Sequence, residues 1–449
     1  MPVLFRIDMT LPDDVLIVGL GMTGVATARF LAKMGKKVTI VDEKPEADLS
    51  ASLGALEGIR FTGHFGAHRR EDFLAHPIIV ISPGVDSELP VLKEAKERGT
   101  KVIGEMELAF GFIDEPIIAI TGTNGKTTVT TLIGEIFKKA FGNVFIGGNI
   151  GDPLINYLLK GTKARYIVIE VSSFQLETIE TFRAHTSILL NITEDHLDRY
   201  RNIAEYRDAK YRIFKNQKEV DYAILNENLP RLEGIRAKRL LFSSKNEVQE
   251  GAFFKDGTMT VRFQGEEHRY ERAISPLVGI HNTENLLAAL LVSHIHGIDK
   301  DCIREVVKDF KGLPHRIEAV RRVDNVLFYN DSKATNVDST KRALESVDGN
   351  VVLIAGGKDK GGSYTVIADQ MSKVRALILI GEAKGRINAE LGRYSETYME
   401  NDLADAVKRA LQVAKDGDVV LFSPMCSSFD MFRDYKDRGN QFRTMVELL

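Results

Sequence analysis

The sequence is short of cysteine, of long apolar runs and of any excess of one charge, and each shortage removes a class of protein. Only Cys302 and Cys426 occur. They stand far apart and without metal-ligand spacing, which excludes a disulfide framework and a zinc site and fits a reducing compartment. No apolar stretch approaches the roughly 20 residues that cross a bilayer, so no membrane span is expected. Basic residues number 60 and acidic residues 63, for a net charge of −3. That balance leaves no electrostatic footprint for nucleic acid or for an anionic lipid surface, so any bound anion must be held locally. The opening MPVLFRIDMTLPDD has acidic residues where a signal peptide needs a basic start and a long apolar centre, and it reads as a cytoplasmic N-terminus. Internal repeats and low-complexity tracts are missing too.

What is present is an ordinary soluble composition, 44% hydrophobic and 27% charged over 449 residues. That length exceeds one core and suits three domains of the usual ~100–200 residues. The pattern predicts an α/β fold. VLIVGL, a glycine turn, a helix through Ala26–Lys36 and KVTIVDEK read as the start of a Rossmann-like parallel sheet, and PIIVISPGV adds a strand. This N-terminal domain is placed at 1–104. A central domain, 105–312, has strands at EPIIAI, RYIVIEVSS and SILLNITEDH. Between Gly251 and Arg272 short alternating strands predict a small antiparallel patch beside the parallel sheet. GIHNTENLLAALLVSHIHGI then carries apolar residues at helical spacing. A C-terminal Rossmann-like domain, 313–449, shows strands at NVLFYNDSKATN, NVVLIAGGKDKGG, ALILIGEA and VVLFSPMCSSFD, each ending in small and polar residues. In open α/β sheets ligands bind outside such carboxyl ends.

Two glycine clusters could hold phosphate. Gly122, Thr123, Asn124, Gly125, Lys126, Thr127 and Thr128 lie between a predicted strand and a predicted helix. There backbone amides can turn toward a phosphate, the helix start adds partial positive charge, Lys126 can reach β/γ oxygens and Thr127 can ligate Mg²⁺. Ile120 stands where the standard P-loop pattern has its first glycine. Strand, loop, lysine, hydroxyl and helix together favour a P-loop-type ATP site over a plain turn with a solvated lysine. The second cluster, Gly19, Gly21, Met22, Thr23 and Gly24, follows the first strand, and Asp42 ends the second. It can hold a pyrophosphate and a ribose hydroxyl, or serve only close packing of helix on strand. Two phosphate loops in one chain suit a transferase or ligase better than a nicotinamide-dependent oxidoreductase. Glu170 and the run Glu194, Asp195, His196 follow at strand ends; the carboxylates could supply hard oxygen ligands for Mg²⁺, or Glu170 is a strand-end charge in solvent and His196 a polar residue that starts a helix.

The strings GTNGKT, GGNIG from Gly147, EVSSFQLE from Glu170, NITEDHLDRY from Asn191, YRDAKYRIF from Tyr206 and GIHNTEN together resemble the ATP-binding central domain of the Mur ligases. GLPHRIE, NDSKATN and SPMCSSFD resemble the D-glutamate-adding branch of that family, and a D-N-P-R string, which would point to diaminopimelate, is absent. The resemblance implies an ATP-dependent ligase of cytoplasmic peptidoglycan precursor synthesis, with UDP-N-acetylmuramoyl-L-alanine, D-glutamate and ATP as small-molecule substrates and a monomeric state. It implies that Lys126 and Thr127 hold ATP phosphates and one Mg²⁺ with Glu170. His196 and Lys210 would hold a second Mg²⁺, Lys210 as a carbamate formed with CO₂; by itself Lys210 reads only as a helix-face lysine. Asn282 and Asn285 would approach the adenine, with Arg316 and Asp331 binding the nucleotide from the third domain. Asn149, Ser172 and Gln175 would border the uridine-linked substrate, which is also assigned Gly19, Gly21, Met22, Thr23, Gly24, Asp42, Ser82, Pro83 and Gly84. Lys333, Thr335, Lys360, Ser428 and Phe429 would shape the D-glutamate pocket.

Overall fold

A computed structural model describes residues 11–195, 199–359 and 361–449. Three sheets divide it. The first runs β3-β2-β1-β4-β5, where β1 is Asp14–Val18, β2 Lys37–Asp42, β3 Thr62–Phe65, β4 Ile78–Ile81 and β5 Lys101–Gly104, and every pairing is parallel. Helices cover both faces, so β1 and β4 are apolar on both and read as unbroken hydrophobic runs. The first helix, α1, is Met22–Lys33. It starts four residues before the expected Ala26 because the glycine turn is shorter than its composition suggests. It stops before Lys36 because Gly35 takes φ +73°, which ends a helix without strain.

The second sheet runs β14-β13-β12-β11-β10-β9-β6-β8-β7. Its strands are β6 Ile117–Thr121, β7 Val144–Gly148, β8 Tyr166–Glu170, β9 Thr186–Leu189, β10 Tyr222–Asn226, β11 Lys238–Ser243, β12 Gly251–Lys255, β13 Thr258–Phe263 and β14 Glu266–Glu271. The expected antiparallel patch forms at one edge of this sheet and is continuous with it. β12 pairs in parallel with β11, and the turns to β13 and β14 extend the same sheet. A short helix α2, Glu105–Phe110, leads in from the first sheet. On one face, α3 (Lys126–Phe141) lays Val129, Leu132, Ile133, Ile136 and Phe137 in the core with Leu286, Leu287, Leu290 and Leu291 of α6 (Ile280–Ile295). Side chains like these are worth ~1.5–3 kcal/mol each when fully buried, so this helix pair fixes the start of α3 firmly against β6. Two shorter helices, α4 (Ser173–Glu177) and α5 (Ile203–Tyr211), precede α6.

The third sheet runs β15-β16-β20-β17-β18-β19. The four expected strands are β16 (Val326–Asn330), β17 (Val351–Gly356), β18 (Val374–Ile380) and β20 (Val419–Phe422). Two edge strands were not foreseen: β15 (Glu318–Val323), antiparallel to β16, and β19 (Glu396–Met399). Strands at a rim need no apolar side chains on both faces, so EAVRRV and ETYM do not read as strands. The sheet is therefore mixed rather than purely parallel. Helix α7, Val337–Ser346, follows β16.

One apolar cluster runs from Val15 and Ile17 of the first sheet through Met106 and Leu108 to Ile117 and Ile167 of the second. Among the described residues, no apolar cluster joins the second sheet to the third. No helix among them is long and apolar enough to cross a membrane.

Candidate active site

The carboxyl ends of β6, β8 and β9 meet at the loop between β6 and α3. Gly125 takes φ +85°, a conformation that favours glycine, and a Cβ there would lie 2.4 Å from Asn285 Oδ1 and displace that side chain. The loop is held from the β9 end. Asn124 N–H donates to Asn191 Oδ1 at 2.8 Å, and Asn191 Nδ2 donates to Asn124 O at 3.1 Å. The Thr123 hydroxyl donates to Thr193 O at 3.2 Å. Lys126 Nζ folds over the loop and donates to Gly122 O at 2.9 Å and Thr123 O at 2.8 Å.

Glu170, buried at the end of β8, accepts from Thr127 Oγ1 at 2.8 Å and from Asn149 Nδ2 at 2.9 Å. Arg316 reaches in from beyond the second sheet and donates to Thr127 Oγ1 at 2.8 Å. Burial lowers the Arg316 guanidinium from its ordinary pKa, opposed by Glu170. A hydroxyl and a carboxylate side by side at a helix start form a hard-oxygen pair suited to Mg²⁺ beside phosphate. Among the described residues no group of three His, Cys, Asp or Glu side chains is arranged to hold a metal, so the two oxygens need phosphate and further ligands to complete a shell.

Lys210 on α5 is buried, donates to Gly122 O at 2.9 Å and stands 4.5 Å from the centre of the Tyr206 ring. Burial, and after it the charge of Lys126, hold its amine well below the usual lysine range against the pull of Asp195 and Glu170. His196 lies outside the described residues.

A cavity of about 70 Å³ adjoins the loop, lined by Asn124, Gly125, Thr128, Asn282, Asn285, Arg316, Asp331 and Lys333 among others. Asp331 accepts from Ser423 Oγ at 2.8 Å and Ile317 N–H at 3.2 Å, and burial pushes its carboxyl up to about 7 against these bonds. Lys333, expected at the amino-acid pocket, lines this cavity beside the loop, its ammonium 3.8 Å from the centre of the Tyr435 ring. Thr335 lines a second cavity of about 210 Å³, with Asp195, Asp338, Asp359, Tyr364 and Met425. Lys360 lies outside the described residues, although its neighbours Asp359 and Gly361 line that cavity. Ser428 is buried and Phe429 is 68% exposed.

The first sheet carries a cavity of about 640 Å³ at its carboxyl edge, lined by Gly19, Gly21, Met22, Thr23, Asp42, Ser82, Pro83 and Gly84, with Asn149 and Gln175 contributed by the second sheet. The glycines of this cluster differ in their surroundings. A Cβ on Gly24 would stand 2.0 Å from Gly19 O, so Gly24 serves close packing of α1 on β1, whereas a Cβ on Gly21 meets nothing within 4 Å. Asp42 pins the turn by accepting from Leu20 N–H at 2.7 Å and Lys44 N–H at 2.9 Å while facing the cavity. Ser172 caps α4 in a reciprocal box with Gln175, fixing the glutamine at the cavity wall.

Reasoning from the sequence missed Asp338 and Arg342, which meet the loop region from α7, and Arg199, which donates to Val85 O at 3.2 Å and Glu177 at 2.9 Å and so ties the second sheet to the first. Arg199 stood inside the NITEDHLDRY string and could have been found there; nothing local marks the other two.

Family patterns match each sheet in turn: a Mur ligase MurD-like N-terminal domain over residues 13–104, a Mur ligase middle domain over 120–293 and a Mur ligase glutamate ligase domain over 315–426. The UDP-N-acetylmuramoylalanine--D-glutamate ligase of Geotalea daltonii is 49% identical over 440 residues, 97% of each chain. The ligase of the same name from Geobacter metallireducens is 48% identical over 441 residues, again 97% of each. Among solved structures, a pseudomurein peptide ligase type C from Methanothermus fervidus superposes with a TM-score of 0.61 at 19% identity, covering 97% of this chain and 100% of that one, a likeness of fold.

Proposed function

This chain belongs to the Mur ligase family, and on that footing we propose that it is the ATP-dependent ligase that adds D-glutamate to UDP-N-acetylmuramoyl-L-alanine in peptidoglycan precursor synthesis. The observation that carries the mechanism is the place of Asn149. It lines the first-sheet cavity and also donates to Glu170, which holds Thr127 at the phosphate loop. An acid group carried in by a ligand of that cavity therefore arrives where the γ-phosphate of a loop-bound ATP would lie.

An amide cannot form directly from a carboxylate, whose oxygen is a poor leaving group. The alanyl carboxylate attacks the γ-phosphorus, ADP leaves, and an acyl phosphate results. The amine of D-glutamate then attacks the acyl carbon, and the tetrahedral adduct collapses to amide and inorganic phosphate. Lys126 and Arg316 offset charge on the transferring phosphoryl group, a role supported by their position at the loop beside Thr123 and Thr127, and positioning and electrostatics supply most of the acceleration. Thr127 and Glu170 would hold Mg²⁺, which supplies further charge neutralisation when bound. Burial, and after it the charge of Lys126, lower the Lys210 amine well below the usual lysine range, a direction that favours uptake of CO₂; a carbamate there, with His196, would provide for a second Mg²⁺. Asn282, Asn285 and Asp331, which line the cavity beside the loop, take the nucleoside; Lys333, Thr335, Lys360, Ser428 and Phe429 take the amino acid, a reading supported by Thr335 on the wall of the cavity of about 210 Å³.

The reading goes with domains at 1–104, 105–312 and 313–449, a monomeric enzyme and a cytoplasmic location. It is tested by phosphate release across a panel of D- and L-amino acids with UDP-N-acetylmuramoyl-L-alanine and its muramoyl-peptide homologues. Release should require D-glutamate and that acceptor together; equal release with another amino acid or acceptor would remove the assignment.

A further inference from the structure

The first and second sheets share an apolar core, but the third meets the second through polar side chains. Most of these lie on α7. Asp338, Arg342 and Ser346 are four residues apart and share one face of that helix. Asp338 Oδ2 accepts from Asn124 Nδ2 at 2.7 Å, and Ser339 Oγ donates to Asn124 Oδ1 at 2.8 Å. Arg342 pairs with Asp338 at 2.9 Å and lies 3.8 Å from Glu284 of α6. Ser346 Oγ stands 3.2 Å from His281 Nδ1. At the helix start, Asn336 caps Ser339 N–H at 2.8 Å and donates to Asp195 at 3.0 Å.

The consequence falls on one residue of the phosphate loop. The backbone N–H and C=O of Asn124 are held by Asn191, and both polar ends of its side chain are held by α7. Half of the restraint on this residue thus comes from the third domain. The same helix start divides two cavities: Asp338 lines the one of about 210 Å³, while Ser339 and Arg342 line the one of about 70 Å³. A polar contact of this kind separates readily, because both sides can return to water at little net expense.

We propose that the Asp338–Arg342–Ser346 face of α7 is the latch by which the third domain closes on the phosphate loop, with Asp338 as the residue that positions Asn124. Closure then links the two cavities, because a ligand in either one favours the state in which α7 is docked. The assignment of ATP and D-glutamate to those cavities rests on the function proposed above; the latch itself does not.

The test uses full-length enzyme with Asp338→Ala, Asp338→Asn and Ser346→Ala. Small-angle X-ray scattering is measured with a non-hydrolysable ATP analogue and Mg²⁺, and initial rates with all substrates. Asp338→Ala should leave a larger radius of gyration in the presence of the analogue and raise KM for both ATP and D-glutamate about tenfold, the scale of one lost charge-assisted hydrogen bond. Its affinity for the uridine-linked substrate should stay within about twofold, since that ligand sits in the first-sheet cavity. Asp338→Asn keeps an acceptor oxygen for Asn124 and should recover most of the loss. Ser346→Ala, at the far end of the face, should raise KM for ATP about threefold and serves if Asp338→Ala does not fold. Wild-type scattering in Asp338→Ala, or in Ser346→Ala in its place, would overturn the latch, as would equal weakening of all three substrates. If the wild-type enzyme does not ligate D-glutamate, the functional reading fails while the scattering still decides the latch.

Discussion

Glu105→Gln should stabilise the joint between the first two sheets at alkaline pH and not at acidic pH. Glu105 opens α2, is 2% exposed, and accepts from Ile155 N–H at 2.5 Å through Oε1. Its Oε2 is buried with no hydrogen-bond partner among the described residues. Burial pushes its carboxyl from 4.5 up to about 7, opposed by the Ile155 bond. Below pH 4.5 the group is protonated both folded and unfolded and contributes nothing to the pH dependence. As pH rises from 4.5 to about 7 the unfolded chain loses the proton while the folded one keeps it, so stability falls; above 7 it levels off. At about 1.4 kcal/mol per pH unit the fall is roughly 3 kcal/mol. The positive start of α2 favours the charged form, so that figure is an upper bound. Glutamine keeps the acceptor for Ile155 but places an NH₂ where nothing accepts, which costs about 1 kcal/mol or more. The net expectation at pH 8 is therefore about 1–2 kcal/mol of stabilisation, against a slight loss at pH 4.5. A three-domain chain does not unfold in one step, so the measurement is native-state hydrogen exchange at Ile155 and along α2 at both pH values. Parallel pH dependence in wild type and variant would refute the reasoning.

Lys126→Ala should lower phosphate release by at least about 10³-fold while leaving binding of the uridine-linked substrate intact, because in the proposed function the lysine serves the phosphoryl group and it does not line the first-sheet cavity; near-normal turnover would remove its role. Lys210→Arg keeps a cation but cannot become neutral, and it should lose activity about 100-fold or more. With ¹³C-bicarbonate, wild-type enzyme should show a carbamate carbon resonance that the variant lacks, and a fully active wild type without that resonance would contradict the proposal. Gly24→Ala drives a methyl against Gly19 O and should destabilise the first domain by about 2 kcal/mol or more. Gly21→Ala meets open space at φ −74° and should leave the melting temperature unchanged; equal melting losses in the two variants would mean that the glycines are not divided between packing and ligand access.

The sequence by itself determined what depends on neighbours along the chain. Buried parallel strands show as unbroken runs such as VLIV and IIVI, and the P-loop shows because strand, glycines, lysine and helix are contiguous from Ile117 to Phe141. The pairing of Thr127 with Glu170 was legible through the family strings, since Thr127 stands at the start of the helix that follows β6 and Glu170 ends β8, the strand beside β6. Tertiary structure alone decided the rest. EAVRRV became a strand because a sheet edge accepted it, and the antiparallel strands became part of the central sheet because β12 found β11. Lys333 lines the cavity beside the loop, with the Tyr435 ring, about a hundred residues later, under its ammonium. Asp338 and Asn124 stand 214 positions apart, so their bond follows from where two separately folded sheets come to rest. Local patterns encode which face of an element is buried; they carry no term for which distant polar group will meet an exposed one, because that choice is made only when the domains dock.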